Sequence, residues 1–265
     1  MTIKAVLFDL DDTLLWDDKS VEEAFQATCR EAQKMAGIDP FELEQAVRRG
    51  AIALYETYDV FPFAKMIGIN AFEALWGHFT EGADENFRKL ERLAPVYRKE
   101  AWTRGLKAVG VDDPELGYSL GEIFPAERRK RPLVYDETFP VLNRLKDEGY
   151  QLLMLTNGAP DLQQEKINGV PELAPYFEHI VISGNFGEGK PAASIFEYAV
   201  RLLGIRPEEG IMVGDKLNTD ILGSSRIGMP NAWVNRRGSE NRTEIRPVHE
   251  IRNLQSLFDI LEHSR

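Results

Sequence analysis

Asp9 and Asp11 stand two residues apart in the stretch DLDDT, directly after the apolar run Ile3 to Phe8. Thr156 follows a second such run, QLLML; Lys190 lies within Gly189-Lys190-Pro191; Asp215 follows Gly214 after GIMV, and Asp220 comes five residues later. Each has an ordinary structural use. Aspartates fill turns and cap helices, Thr156 suits a helix start, Lys190 suits a solvated surface, and Asp220 could cap a helix beginning at Ile221. Their joint occurrence at the ends of apolar runs points elsewhere. Three or more carboxylates crowded at one edge repel one another unless a cation neutralises them, and oxygen ligands without His or Cys suit a hard ion such as magnesium. Magnesium commonly keeps waters and takes one or two carboxylates plus a phosphate oxygen, so the natural guest is a phosphate. A lysine and the backbone amides following Thr156 can hold its remaining oxygens.

The elements that must position these residues alternate. Short apolar runs at Ile3 to Phe8, Gln151 to Leu155, His179 to Ile182, Gly210 to Val213 and Ala232 to Val234 read as buried strands. Amphipathic helical stretches lie between them at Glu137 to Glu148, Asp161 to Gly169, Ala192 to Leu203 and Asp220 to Ile227. The pattern predicts an α/β fold, a Rossmann-like parallel sheet whose ligands sit beyond the carboxyl ends of the strands. From about Trp16 to Arg131 helical periodicity takes over, with Asp39-Pro40 and Asn70 as start signals. Residues 16–131 therefore read as an inserted all-helical cap domain, and residues 1–15 and 132–265 as the core. Both connections of the insert lie beside the site, which is the arrangement of a lid.

Composition narrows the partners. The chain of 265 residues carries 32 basic and 43 acidic side chains, a net charge of -11, which disfavours a nucleic-acid or anionic-membrane partner. Arg48-Arg49 and Arg128-Arg129-Lys130-Arg131 are the local exceptions, and the four-residue run reads as a helix end favoured by the dipole. Cys29 is the single cysteine, so no intrachain disulfide forms, and no stretch approaches the ~18 apolar residues of a membrane span. The expected protein is cytoplasmic, a monomer or homodimer. The aromatics Phe25, Tyr55, Tyr58, Phe61, Phe63, Trp76 and Trp102 read as cap core, whereas Trp16, on the connection leaving Asp9 to Leu15, could touch a leaving group.

DLDDT, LTNG, GKP and GDKLNTD, in this order, resemble the four signature motifs of the haloacid-dehalogenase-like (HAD) hydrolases, in the subgroup with a helical cap between the first and second motifs. LTNGAPDLQQEKI, GKPAASIFEYA and VGDKLNTDI look closest to small-molecule phosphatases that act on nucleoside monophosphates, N-acylneuraminate 9-phosphate or phosphoserine. The resemblance implies that Asp9 attacks phosphorus to form an aspartyl-phosphate. It implies that Asp11 protonates the leaving oxygen and then deprotonates water. Thr156 and the amides of Asn157 and Gly158 would grip the phosphoryl group while Lys190 offsets its charge. Asp9, the backbone carbonyl of Asp11 and Asp215 would ligate magnesium, with Asp220 behind them. The implied substrate is a small phosphorylated metabolite: phosphoserine, a nucleoside 5'-monophosphate or a sugar phosphate.

Within the same family a dehalogenase would lack an acid at the position of Asp11, and a phosphonatase would need a cap lysine, whereas Lys19 and Lys34 read as surface residues. A phosphomutase would keep all four motifs and pass the phosphoryl group to a second hydroxyl. A non-catalytic phosphate-binding regulatory module stands as the reading from outside enzymology.

Overall fold

The computed structural model describes residues 2–264. Among them six strands form one parallel sheet in the order β3-β2-β1-β4-β5-β6. They are β1 (Ala5–Phe8), β2 (Gln151–Thr156), β3 (His179–Ile182), β4 (Gly210–Gly214), β5 (Asn231–Val234) and β6 (His249–Ile251). The helices are α1 (Asp17–Ala36), α2 (Pro40–Tyr55), α3 (Phe61–Ile67), α4 (Ala71–Ala74), α5 (Glu85–Ala108), α6 (Pro114–Arg129), α7 (Thr138–Asp147), α8 (Pro160–Asn168), α9 (Ser183–Phe186), α10 (Ala193–Leu203), α11 (Leu222–Arg226) and α12 (Leu257–His263). No helix of the described residues is long and apolar enough to cross a membrane. By internal contacts the chain divides into a sheet unit, comprising the residues up to Trp16, Val134–Gly158 and those from Val170 onward, and a helical unit, Asp17–Leu133 with Ala159–Gly169. Helix α8 thus packs within the helical unit although it follows β2 in the chain.

In the sheet unit every residue of β1 and of β4 is buried. Such continuous apolar runs are what a parallel strand with both faces covered requires. Leu7, Leu153, Leu155 and Met212 pack with Ile195, Phe196 and Ala199 of α10, and each such large side chain contributes roughly 1.5–3 kcal/mol by leaving water. The chain winds from β1 through β2 to β3 on one side, then returns to place β4, β5 and β6 on the other. Order reverses between β1 and β4, and a crevice opens where successive connections leave in opposite directions. Strand β6 is the element that the apolar pattern does not reveal: its three residues, His249, Glu250 and Ile251, include one buried side chain.

The helical unit starts its helices where the sequence signals them. The Asp39 side chain accepts from the Glu42 amide with Pro40 at the first position of α2, and Asn70 with Glu73 forms a reciprocal capping box on α4. Phe25, Trp102 and Phe124 meet in its core, the rings of Phe25 and Phe124 centred 4.5 Å apart. The basic run is neutralised in place. Arg128 pairs with Asp17, Arg129 with Glu165, Lys130 with Glu127, and Arg131 with Glu127 and Glu23.

The segment after β1 is tied down from several sides. Asp12 takes a left-handed conformation at φ 60°, and the amides of Leu14 and Leu15 both return to the carbonyl of Leu10 at 3.0 Å. Arg236, which follows β5, donates through Nη2 to the carbonyl of Thr13 at 2.9 Å, pairs with Glu137, and lies 3.5 Å over the Tyr135 ring. Tyr135 in turn stacks on Trp16 at 5.1 Å, so the exposed indole that the sequence offered to a leaving group leans on this stack. Arg236→Ala should lower the unfolding free energy by about 2 kcal/mol, since a partly buried ion pair and a cation-aromatic contact go together. Urea denaturation checks this, and an unchanged midpoint would contradict it.

Candidate active site

The polar residues singled out in the sequence gather at the carboxyl ends of three adjacent strands. Asp9 directly follows β1, and its amide continues the ladder by donating to the carbonyl of Val213 at 3.0 Å. Thr156 ends β2, and Asp215 directly follows β4. One carboxylate oxygen each from Asp9, Asp215 and Asp220 lies within 4.8 Å of the others. Asp11 contributes no carboxylate oxygen to this group.

Asp220 reaches the cluster through local backbone geometry. Residues Leu217–Ile221 form a π-helical turn before α11, a wide turn that recurs at functional sites. It folds Asp220 over Gly214, where an added Cβ would stand 2.4 Å from Asp220 Cγ, so a side chain at position 214 would expel the carboxylate. Asp220 is wholly buried, accepts at Oδ2 from the Lys216 amide at 3.0 Å, and pairs at Oδ1 with Lys190 Nζ at 2.6 Å. Asp220 is therefore no simple helix cap, since both its oxygens are engaged inside the protein.

Lys190 joins the cluster together. Its ammonium, nearly out of water, lies 2.6 Å from Asp9 Oδ1 and 2.6 Å from Asp220 Oδ1. Burial alone would lower its pKa, but Asp220 and Asp9 more than reverse that and hold it above the usual lysine range. Burial pushes the Asp9 carboxyl up to about 6; Lys190 opposes the rise and Asp220 adds to it. Asp215 is likewise raised well above an ordinary carboxylate, first by burial, against the pull of Lys216. Its Oδ1 is buried without a hydrogen-bond partner, while its main-chain carbonyl accepts from Trp233 Nε1 at 2.8 Å. A buried carboxylate oxygen left unpaired, in a cluster of three aspartates without a histidine or cysteine ligand, fits a hard divalent cation.

The loop after β2 differs in part from the expectation. Thr156 is buried at the strand end. The Gly158 amide, expected to face a phosphoryl oxygen, donates instead to Ser183 Oγ at 2.8 Å, and its φ of 146° is one that suits glycine. The Asn157 side chain grips the main chain of Lys190 through two hydrogen bonds. Ser183, Trp233 and the Asn157 carboxamide were not legible as site residues. Each acts through a contact between distant parts of the chain, and no local spacing announces such a contact.

The model of the haloacid dehalogenase-like hydrolases matches residues 3–228. The chain is 35% identical over 256 residues to a phosphoserine phosphatase of Thermus thermophilus, covering 97% of this chain and 98% of that one. It is 31% identical over 231 residues to a glyceraldehyde 3-phosphate phosphatase of Pyrococcus furiosus, covering 87% and 80%. The fold is that of the HAD-hydrolase YfnB from Bacillus subtilis, solved bound to magnesium, with a TM-score of 0.65 at 24% identity over 98% and 99% of the two chains. With its four motifs meeting at one edge of the sheet and the match running through nearly all of its length, this chain belongs to the haloacid dehalogenase-like hydrolase family.

Proposed function

We propose that the chain hydrolyses a small phosphomonoester, with Asp9 as nucleophile. The observation that carries the reading is the ammonium of Lys190, 2.6 Å from Asp9 in a nearly waterless setting. A carboxylate that must approach an anionic phosphoryl group needs positive charge fixed beside it, and Lys190 supplies that charge without bulk solvent to screen it. A purely stabilising role accounts for the cluster poorly, because burying several carboxylates with so few cations costs the fold.

Asp9 forms the bond to phosphorus as the bond from phosphorus to the leaving oxygen breaks. Asp11 delivers a proton to that oxygen and then takes one from the water that hydrolyses the aspartyl-phosphate. Inorganic phosphate leaves and Asp9 returns as carboxylate. Thr156 and the Asn157 amide would hold phosphoryl oxygens. Gly158 would act by shaping the loop, since its amide is committed to Ser183. Asp9, Asp215 and the Asp11 main-chain carbonyl would hold magnesium, with Asp220 supporting Lys190; the ion, when bound, supplies Lewis-acid stabilisation of the transferring group. Phosphoserine is the first substrate to test, given the relative that matches 97% of this chain, followed by sugar phosphates and nucleoside 5'-monophosphates.

Asp9→Asn should leave the fold intact and cut release of free phosphate from p-nitrophenyl phosphate and phosphoserine by roughly 10⁴-fold. Retention of more than a few per cent of activity would remove Asp9 as nucleophile, and transfer to a second hydroxyl without free phosphate would indicate a mutase. A second expectation concerns pH. Asp9 titrates near 6 in the fold against an ordinary 3.8, so its contribution favours folding at low pH and is lost as pH rises through about 6. A cation offsets that loss. Magnesium at about 100 times its Kd should stabilise the protein by about 2.7 kcal/mol near pH 7.5, much less near pH 5, and not at all in Asp215→Ala. Thermal unfolding checks this; an equal gain at both pH values, or one retained in the variant, would refute the ligand assignment.

A further inference from the structure

The loop that carries Lys190 is tied at its flanks, but its own hydrogen bonds leave the backbone groups of Lys190 unheld. It runs from α9 to α10 through Gly187, at φ 99°, and Gly189, and glycines leave a backbone free to take many conformations. The lysine side chain adds a flexible four-carbon stem. Its Nζ must nevertheless stay within hydrogen-bond reach of both Asp9 and Asp220.

Asn157 provides the restraint. Its Nδ2 donates to the main-chain carbonyl of Lys190 at 2.9 Å, and its Oδ1 accepts from the main-chain N–H of Lys190 at 2.8 Å. One carboxamide pairs with both backbone groups of a single residue, as a neighbouring strand would. Asn157 is itself anchored on each side. Thr156 before it is the last residue of β2, and Gly158 after it donates to Ser183 Oγ and accepts from the Gly184 amide at 3.1 Å. The remaining ties on the Lys190 loop hold its flanks: the Gly187 amide donates to the Ser183 carbonyl at 2.8 Å, Ser194 Oγ donates to the Glu188 carboxylate, the Pro191 carbonyl accepts from Arg226 at 2.6 Å, and the Ala192 amide donates to the Gly189 carbonyl at 3.0 Å; none of them engages a backbone group of Lys190 itself.

We propose that the Asn157 side chain is a positioning residue, which fixes the main chain of Lys190 so that the ammonium meets Asp9. The role rests on the hydrolytic reading above and is separate from any contact of the Asn157 amide with substrate. The geometry demands this residue type. Aspartate would keep the acceptor but set a second oxygen against the Lys190 carbonyl, and alanine would remove both bonds.

The test compares Asn157→Ala and the near-isosteric Asn157→Asp in the wild-type and Lys190→Arg backgrounds, with p-nitrophenyl phosphate as substrate. Each should lower kcat by about 10- to 100-fold, the scale of losing one or two hydrogen bonds to a charged group's support, with KM within about threefold. In the Lys190→Arg background the further loss should shrink to less than about threefold, because Asn157 then has no correctly placed ammonium to position. Equal losses in both backgrounds, or a change confined to KM, would overturn the proposal. Crystal structures of both variants decide it apart from turnover: Lys190 Nζ should move out of hydrogen-bond reach of Asp9, and an unmoved Nζ would overturn it. A wild-type protein without phosphatase activity would sink the hydrolytic reading, and the position of Nζ would still decide the clasp.

Discussion

Carboxylates from Asp9, Asp215 and Asp220 brought within 4.8 Å of one another, with Asp9 and Asp220 nearly or wholly out of water, are a constraint that the surrounding structure has to satisfy. Burial opposes ionisation of Asp9 and Asp215 first and the neighbouring carboxylates add to it, and the raised pKa values of both groups express this. Lys190 supplies part of the missing positive charge, reaching Asp9 and Asp220 together. The unpaired Oδ1 of Asp215 marks where more is called for.

Much of the local backbone can be understood as service to that arrangement. The parallel order puts the ends of β2, β1 and β4 side by side, which brings residues 9, 156 and 215 together without any of them being near in sequence. Gly214 clears the space into which the π-helical turn folds Asp220. Arg236 and the Tyr135 ring steady the segment leaving Asp9, and Asn157 steadies the loop bearing Lys190. A catalytic group held by packing and hydrogen bonds loses little freedom when the reaction begins, and preorganisation of this kind accounts for much of phosphoryl-transfer catalysis.

The strands that carry the site were legible because each is a short apolar run ending in a polar residue, and their bounds in the structure differ from the sequence reading by one or two residues. Strand β6 was not, since a three-residue edge strand with a single buried side chain leaves no apolar run to find. The four motifs made the candidate residues visible, but not how they are held. Asp220 was placed behind the metal ligands by the motif, but the π-helical turn that brings it there was not legible, because the chain pattern cannot distinguish an α-helical start from a π-helical turn. Gly158 looked like a phosphate-binding amide because nothing local tells that Ser183, 25 residues on, takes its N–H. Helix α8 follows β2 directly, yet its packing in the helical unit depends on partners such as Glu73 to Lys166 at 2.8 Å, far away in the chain.

The central claim is that Asp9, kept ionised by its cationic neighbours, carries the phosphoryl group between substrate and water. Borohydride reduction of protein quenched during turnover, followed by peptide mass spectrometry, tests it most directly, because an acyl phosphate is reduced to an alcohol while a free carboxylate is not. The account predicts conversion of the Asp9 side chain to that of homoserine, dependent on substrate. Reduction at another carboxylate, or phosphate release with Asp9 untouched throughout, would contradict it.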